Sequence, residues 1–173
     1  MKHDTVIIGI GNPLLMDDRA GIEVAERLEA LGVPADIVVL YTVGFEVIDK
    51  LLGYRRAYVV DACALGGEPG TVRVVNADDI LGDAFLSGSH AVTLGATIKT
   101  GYEVFEEEMP AQLRIVLIEA ENPTGFSDQC TPKVEQAIGS VVERIRGEVP
   151  EQARPAGSNA AFPWQTVEAG RCT

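Results

Sequence analysis

Two adjacent carboxylates, Asp17 and Asp18, close a glycine turn in the stretch Gly9-Ile10-Gly11-Asn12-Pro13-Leu14-Leu15-Met16-Asp17-Asp18-Arg19-Ala20-Gly21. A strand running through such a turn into a helix usually exposes backbone N–H groups at the positive helix end, where phosphate binds. Here the G-x-G-x-x-G spacing keeps only Gly9 and Gly11, because Leu14 fills the third position. The two aspartates would set negative charge where a pyrophosphate needs donors, and neither Lys nor Ser/Thr follows as in a P-loop. A cation suits this turn better than an anion. Aspartates are also what a helix N-terminus favours through its dipole and its caps, with no ligand at all, so further residues must decide.

Asp61 is the next candidate, since it ends the apolar run Ala57-Tyr58-Val59-Val60 with no opposite charge nearby in sequence. The competing reading is an aspartate that caps the following turn through its own backbone. His90 lies in the small-residue stretch Leu86-Ser87-Gly88-Ser89-His90-Ala91-Val92-Thr93-Leu94, which opens a helix. His3 and His90 are the only histidines, and His3 stands in the N-terminal segment, so a nitrogen ligand would be His90. Two carboxylates and one imidazole make a hard-to-borderline set with open coordination positions, suited to Zn, Ni, Mn or Co rather than to a closed structural site. Asp18 and Asp61 are also the candidate catalytic groups; Asp17 reads as a first-turn residue or a support for a ligand. Cys63, Cys130 and Cys172 are far apart with no C-x-x-C pair and read as ordinary thiols of a reducing compartment. With one usable histidine, no G-x-S-x-G and no H-E-x-x-H, the sequence argues against a serine, cysteine or zincin protease of conventional type.

These residues need a scaffold that gathers them. Five strands are predicted, over Thr5–Ile10, Asp36–Tyr41, Arg56–Asp61, Gly70–Val75 and Leu113–Glu119. Runs such as Ile37-Val38-Val39-Leu40 and Ile115-Val116-Leu117-Ile118 suit strands covered on both faces, whereas Thr71-Val72-Arg73-Val74-Val75 partly alternates and reads as an antiparallel edge. Helical spacing links Ala20, Val24, Ala25, Leu28 and Leu31, stopped by Gly32, and Phe45, Ile48, Leu51 and Leu52, stopped by Gly53. A third helix starts near His90 and sets Ala91, Leu94, Ile98 and Tyr102 on one face. The last opens at Thr131-Pro132, a hydroxyl at the cap and proline at the first helical position, with Val134, Ala137, Ile138, Val141, Val142 and Ile145 as its face. Strands alternating with helices predict a three-layer α/β/α sandwich on a mostly parallel, five-stranded twisted sheet. In such a sheet ligands bind beyond the carboxyl ends of the strands, where Asp18, Asp61 and His90 would all lie.

A chain of 173 residues, 46% hydrophobic, holds one ordinary domain. It is assigned to residues 1–146, with 147–173, rich in Pro, Gly and Ala, as a poorly ordered tail carrying Phe162 and Trp164. A formal net charge of −12 argues against nucleic acid as a partner. No signal peptide and no apolar run of ~18 residues is seen, so a cytoplasmic protein without membrane contact is expected. No exposed heptad demands a partner, and a monomer is expected.

The chain resembles the hydrogenase maturation endopeptidases, which process the large subunit of nickel-iron hydrogenases. The resemblance is carried by Gly9 through Gly21, by Val59-Val60-Asp61-Ala62, by Pro69-Gly70-Thr71-Val72, by His90 and by Cys130-Thr131-Pro132-Lys133-Val134-Glu135, and covers roughly Thr5 to Arg146. It implies a three-layer fold, with Asp18, Asp61 and His90 as metal contacts. It also implies an endopeptidase that removes a C-terminal extension from the large-subunit precursor after nickel insertion. The nickel would be supplied by that precursor, and zinc or cadmium could take its place in vitro. A non-catalytic, nickel-dependent assembly factor or chaperone for the same precursor would need the same ligands. A nucleotide-binding domain is a third reading, opposed by the missing third glycine and by the Asp17-Asp18 pair. Relatives commonly carry an Asp-Gly-Gly-Thr type segment after the second strand, whereas Val39-Leu40-Tyr41-Thr42-Val43-Gly44 keeps only Thr42 and Gly44.

Overall fold

The computed structural model describes residues 3–77, 79 and 89–149, with only the backbone of 89–92. Strands β1 (Thr5–Ile10), β2 (Asp36–Leu40), β3 (Arg56–Cys63), β4 (Val72–Asn76) and β5 (Gln112–Glu119) form one sheet in the order β2-β1-β3-β5-β4. The first three pairings of that order are parallel, and β4 runs antiparallel along β5. Every residue of β1 is buried, as its unbroken apolar sequence requires of a central strand with both faces covered. The partly alternating β4 takes the edge.

Helices α1 (Ala20–Ala30), α2 (Glu46–Leu51), α3 (Ser89–Val104) and α4 (Pro132–Glu148) cover the sheet. The period of two along β3 divides the core between them. Ala57, Val59 and Cys63 join one cluster with Val47 and Leu51 of α2 and Leu94 and Ile98 of α3. Tyr58, Val60 and Ala62 join the other, with Val24 and Leu28 of α1 and Val134, Ile138 and Ile145 of α4. Fully buried side chains such as Leu28 and Ile138 each contribute about 1.5–3 kcal/mol of transfer free energy. Helix α1 ends as Gly32 predicts. The glycine takes φ +66°, its N–H reaches Glu29 O, and Val33 N reaches Leu28 O, closing the last turn with orphan carbonyls satisfied.

From β1 the chain moves to β2 on one side and then returns to place β3 on the other side of β1. The direction of winding reverses there, and the crevice beyond the carboxyl ends of β1 and β3 is where an open α/β sheet binds its ligands.

Several sequence expectations are corrected. β3 continues two residues past Asp61, so that aspartate lies within the strand and not at its end. Asp17 and Asp18 precede α1, whose N-cap is Arg19, and neither belongs to its first turn. Phe45 is 76% exposed and leaves the buried face of α2 to Val47, Ile48 and Leu51. Thr131 does stand before Pro132 at the start of α4, but its hydroxyl makes no capping bond. Gly147 and Glu148 close α4 and are not tail residues. Phe162, Trp164 and Cys172 lie outside the described residues, as does the rest of the tail from Pro150. Among the described residues no helix is long and apolar enough to cross a membrane.

Candidate active site

The glycines of the β1–α1 turn bring α1 onto the sheet. A Cβ at Gly21 would stand 2.3 Å from both Ile10 O and Val60 O, and one at Gly9 would stand 2.3 Å from Gly21 O. The third glycine of the turn is therefore Gly21 rather than position 14, and its work is close packing of helix on strand. Gly11, at φ +155°, lies under the next residue of interest: a Cβ there would be 2.0 Å from Asp18 O. These contacts account for the glycines without a phosphate.

Asp17 is fully buried, and its carboxylate meets the segment between β5 and α4. Its Oδ2 accepts from Glu121 N at 2.9 Å, Asn122 N at 2.7 Å and Thr131 Oγ1 at 3.0 Å, while Oδ1 accepts from Thr131 N at 2.7 Å. The hydroxyl that sequence reasoning gave to the α4 cap is spent here. With four donors, the Asp17 carboxylate has no room for a metal.

Asp61 is the opposite case. It is 2% exposed, its Oδ1 accepts from Ala62 N at 2.9 Å, and its Oδ2 is buried with no hydrogen-bond partner among the described residues. The local bond that would explain an ordinary turn aspartate is present, but it satisfies one oxygen only. Burial, with the charge of Asp18 second, raises the Asp61 carboxyl from its ordinary 3.8 to about 7, against the opposing pull of the Ala62 N–H. Asp18 and Asp61 line one pocket of about 160 Å³ together with Gly11, Tyr41, Thr42 and Thr93. Leaving a buried carboxylate oxygen unpaired is costly, so the site has the form of one completed by a proton or a cation.

The third candidate, His90, is the second residue of α3, and its side chain lies outside the described residues. Thr93, one turn further along α3, lines the pocket, so the helix that carries His90 borders the site. Among the described residues no group of three metal-ligating side chains is assembled; the two carboxylates are what the described side chains supply.

A buried acid that sequence reasoning passed over is Glu119, 1% exposed at the end of β5. Its Oε1 accepts from Leu65 N at 2.7 Å and Gly67 N at 3.0 Å, and its Oε2 takes the Cys63 thiol at 3.4 Å. Burial and this carboxylate push the Cys63 thiol up to about 12, so it is no nucleophile. The signal was present: Ile115-Val116-Leu117-Ile118-Glu119 ends an apolar run on an acid just as the run before Asp61 does. Glu119 fixes the loop after β3 and has its oxygens occupied.

The hydrogenase maturation protease family model, HycI, matches residues 22–148. The chain belongs to the hydrogenase maturation protease family. The matched range includes Asp61 and His90 and begins after Asp18. The hydrogenase 3 maturation protease of Escherichia coli strain K12 is 26% identical over 147 residues, 82% of this chain and 88% of that protein. A Methanocaldococcus jannaschii protein that carries the hydrogenase maturation protease assignment provisionally is 34% identical over 89 residues, 46% of this chain and 54% of its own length, so that match spans about half of that relative. The solved structure of the hydrogenase maturating endopeptidase HybD of E. coli superimposes with a TM-score of 0.62 at 22% identity, covering 84% of this chain and 90% of that one, a likeness of fold.

Proposed function

We propose that this member of the hydrogenase maturation protease family is an endopeptidase that removes a C-terminal extension from the precursor of a nickel-iron hydrogenase large subunit once nickel is in place. The observation that carries the reading is that Asp61, whose buried Oδ2 has no partner among the described residues, lines one pocket with Asp18. Asp18, Asp61 and His90 would grip the precursor's nickel as three ligands with open positions around it, and zinc or cadmium would compete for the same donors. Holding the metal-bearing part of the precursor in this way places the scissile bond beside the carboxylates, and orientation of that kind supplies much of a catalyst's advantage. One of the two carboxylates, or the precursor's metal, would activate the attacking water. The precursor's metal would contribute by polarising the scissile carbonyl.

The test is to incubate the protein with nickel-loaded and nickel-free large-subunit precursor and to weigh the products. Loss of a C-terminal peptide from the loaded precursor alone is the expected result, abolished by Asp61→Asn in a folded variant. Tight complex formation without any loss of mass would establish the assembly-factor reading instead. Normal processing by the Asp61→Asn variant would overturn the assignment of Asp61.

A further inference from the structure

We propose that Asp17 is a positioning residue for Asp18, a buried carboxylate that locks the β1–α1 turn to the β5–α4 loop and thereby sets the spacing of Asp18 and Asp61. The proposal rests on the reading of Asp18 and Asp61 as the metal-gripping pair.

The lock is extensive. Besides the four donors to the Asp17 carboxylate, the Met16 N–H donates to Gly125 O at 2.7 Å, Asp17 N to Asn122 O at 3.2 Å and Ser127 N to Leu14 O at 3.3 Å. Leu15 and Phe126 form an isolated antiparallel bridge between the same two segments. The Cys130 thiol adds a bond to Met16 O at 3.3 Å. All these partners lie more than a hundred residues further along the chain, so the arrangement is tertiary and not the local chemistry of a helix N-terminus. On the opposite side, Asp18 O rests against the Cα of Gly11, where no side chain could fit. The backbone of Asp18 is thus held between Gly11 beneath it and the Asp17 lock beside it.

Asp61 needs no such device, because it sits within a central strand and is paired there with Leu117 of β5. Asp18 sits on a turn, half-exposed, and without the lock its carboxylate would sample positions too far from Asp61 to share an ion with it. A displacement of about 1 Å at a reacting centre can reduce turnover about 10²-fold.

The experiment compares the full chain with Asp17→Asn and with Thr131→Val. Asn keeps the shape of the side chain but removes the charge that draws four donors, and sets an amide N–H₂ against the Thr131 N–H if its oxygen stays on the three donors of Oδ2. Thr131→Val removes the hydroxyl bond alone. Two readouts are taken well below the melting temperature of every variant. The first is zinc binding by calorimetry with no precursor present, where Asp17→Asn should weaken Kd about tenfold although Asp17 is no ligand. The second is cleavage of nickel-loaded precursor, where Asp17→Asn should lower kcat about 10–100-fold with KM little changed. Thr131→Val should move both in the same direction by a few-fold, and carries the test if Asp17→Asn fails to fold. A lock that only stabilises the fold would lower the melting temperature and leave both readouts unmoved. Zinc affinity equal in parent and variants, or no zinc binding by the parent, overturns the proposal. Weakened zinc binding in variants of a parent that cleaves nothing would uphold the positioning role and refute the protease reading.

Discussion

Replacing Asp61 by Asn is expected to make the metal-free protein more stable at pH 8 while destroying its proposed activity. In the folded protein the carboxyl titrates at about 7, raised from 3.8 first by burial and then by the Asp18 charge. The unfolded chain releases that proton near 3.8, so between the two values the folded state holds a proton that the unfolded state has lost. The folded value is the higher one. The stabilisation is therefore complete below 3.8 and is lost as the pH rises through 7. At about 1.36 kcal/mol per pH unit, the whole window is worth about 4 kcal/mol. Asn has no titrating proton and removes the slope. Its amide still leaves a polar atom unpaired where Oδ2 stands, which costs about 1–3 kcal/mol, so the net gain at pH 8 is about 1–3 kcal/mol. Urea unfolding of both proteins at pH 5, 6, 7 and 8 in the presence of a chelator measures it, because titrating groups that do not interact with Asp61 cancel in the difference. A stability difference that stays constant from pH 5 to 8 would show that Asp61 is not held protonated, and the argument from its orphaned oxygen would fail.

Gly21→Ala forces a Cβ to within 2.3 Å of two backbone carbonyl oxygens, so α1 must lift from the sheet. A loss of about 3 kcal/mol or more is expected, read as a fall in melting temperature of roughly 6–12 °C. Glu119→Ala leaves the Leu65 and Gly67 N–H groups without their acceptor, and amide exchange at those two positions should accelerate with a loss of about 3 kcal/mol of stability. Arg27→Ala removes a bidentate bond to Glu135 and a bond to Glu23, yet the Arg27 side chain is 37% exposed and that of Glu135 49%, so the change in urea unfolding should stay below about 1 kcal/mol.

Much of the scaffold was legible because burial writes itself into composition. The apolar run Ile115-Val116-Leu117-Ile118 marked β5 correctly as an interior strand, whereas the equally apolar Ile37-Val38-Val39-Leu40 belongs to β2, an edge strand whose residues are mostly half-buried, and the six-residue face of α4 is buried as its spacing required. The antiparallel edge was visible in the alternation around Arg73. What sequence could not give was the partner of a polar side chain. Asp17 and Asp18 are chemically identical neighbours, and only the tertiary meeting of residues 14–17 with 121–131 makes one a lock and the other a pocket wall. Thr131 was read as a cap because its local neighbours fit that role, and a distant carboxylate claimed its hydroxyl. Glu119 ends an apolar run as Asp61 was expected to, but that its carboxylate ties down the loop after β3 is visible only in the fold. Gly21 went unread as the third glycine because helix-to-strand distance is not encoded in turn spacing.

The strand order has a further consequence for how the chain is made. β3 lies between β1 and β5, pairing Val59 with Ile8 on one side and with Ile115 on the other. A nascent chain that has reached β3 can join it to β1 and β2, but the second edge of β3 stays open until β5 emerges. At ~5–20 residues per second of synthesis, that edge waits for several seconds. During that interval the apolar strand Ala57-Tyr58-Val59-Val60 is a template for pairing with other chains, and β4, which precedes β5 in sequence, has no strand to pair with until β5 arrives. The hazard of this particular strand edge therefore belongs to the protein's birth, since β5 covers it in the finished fold.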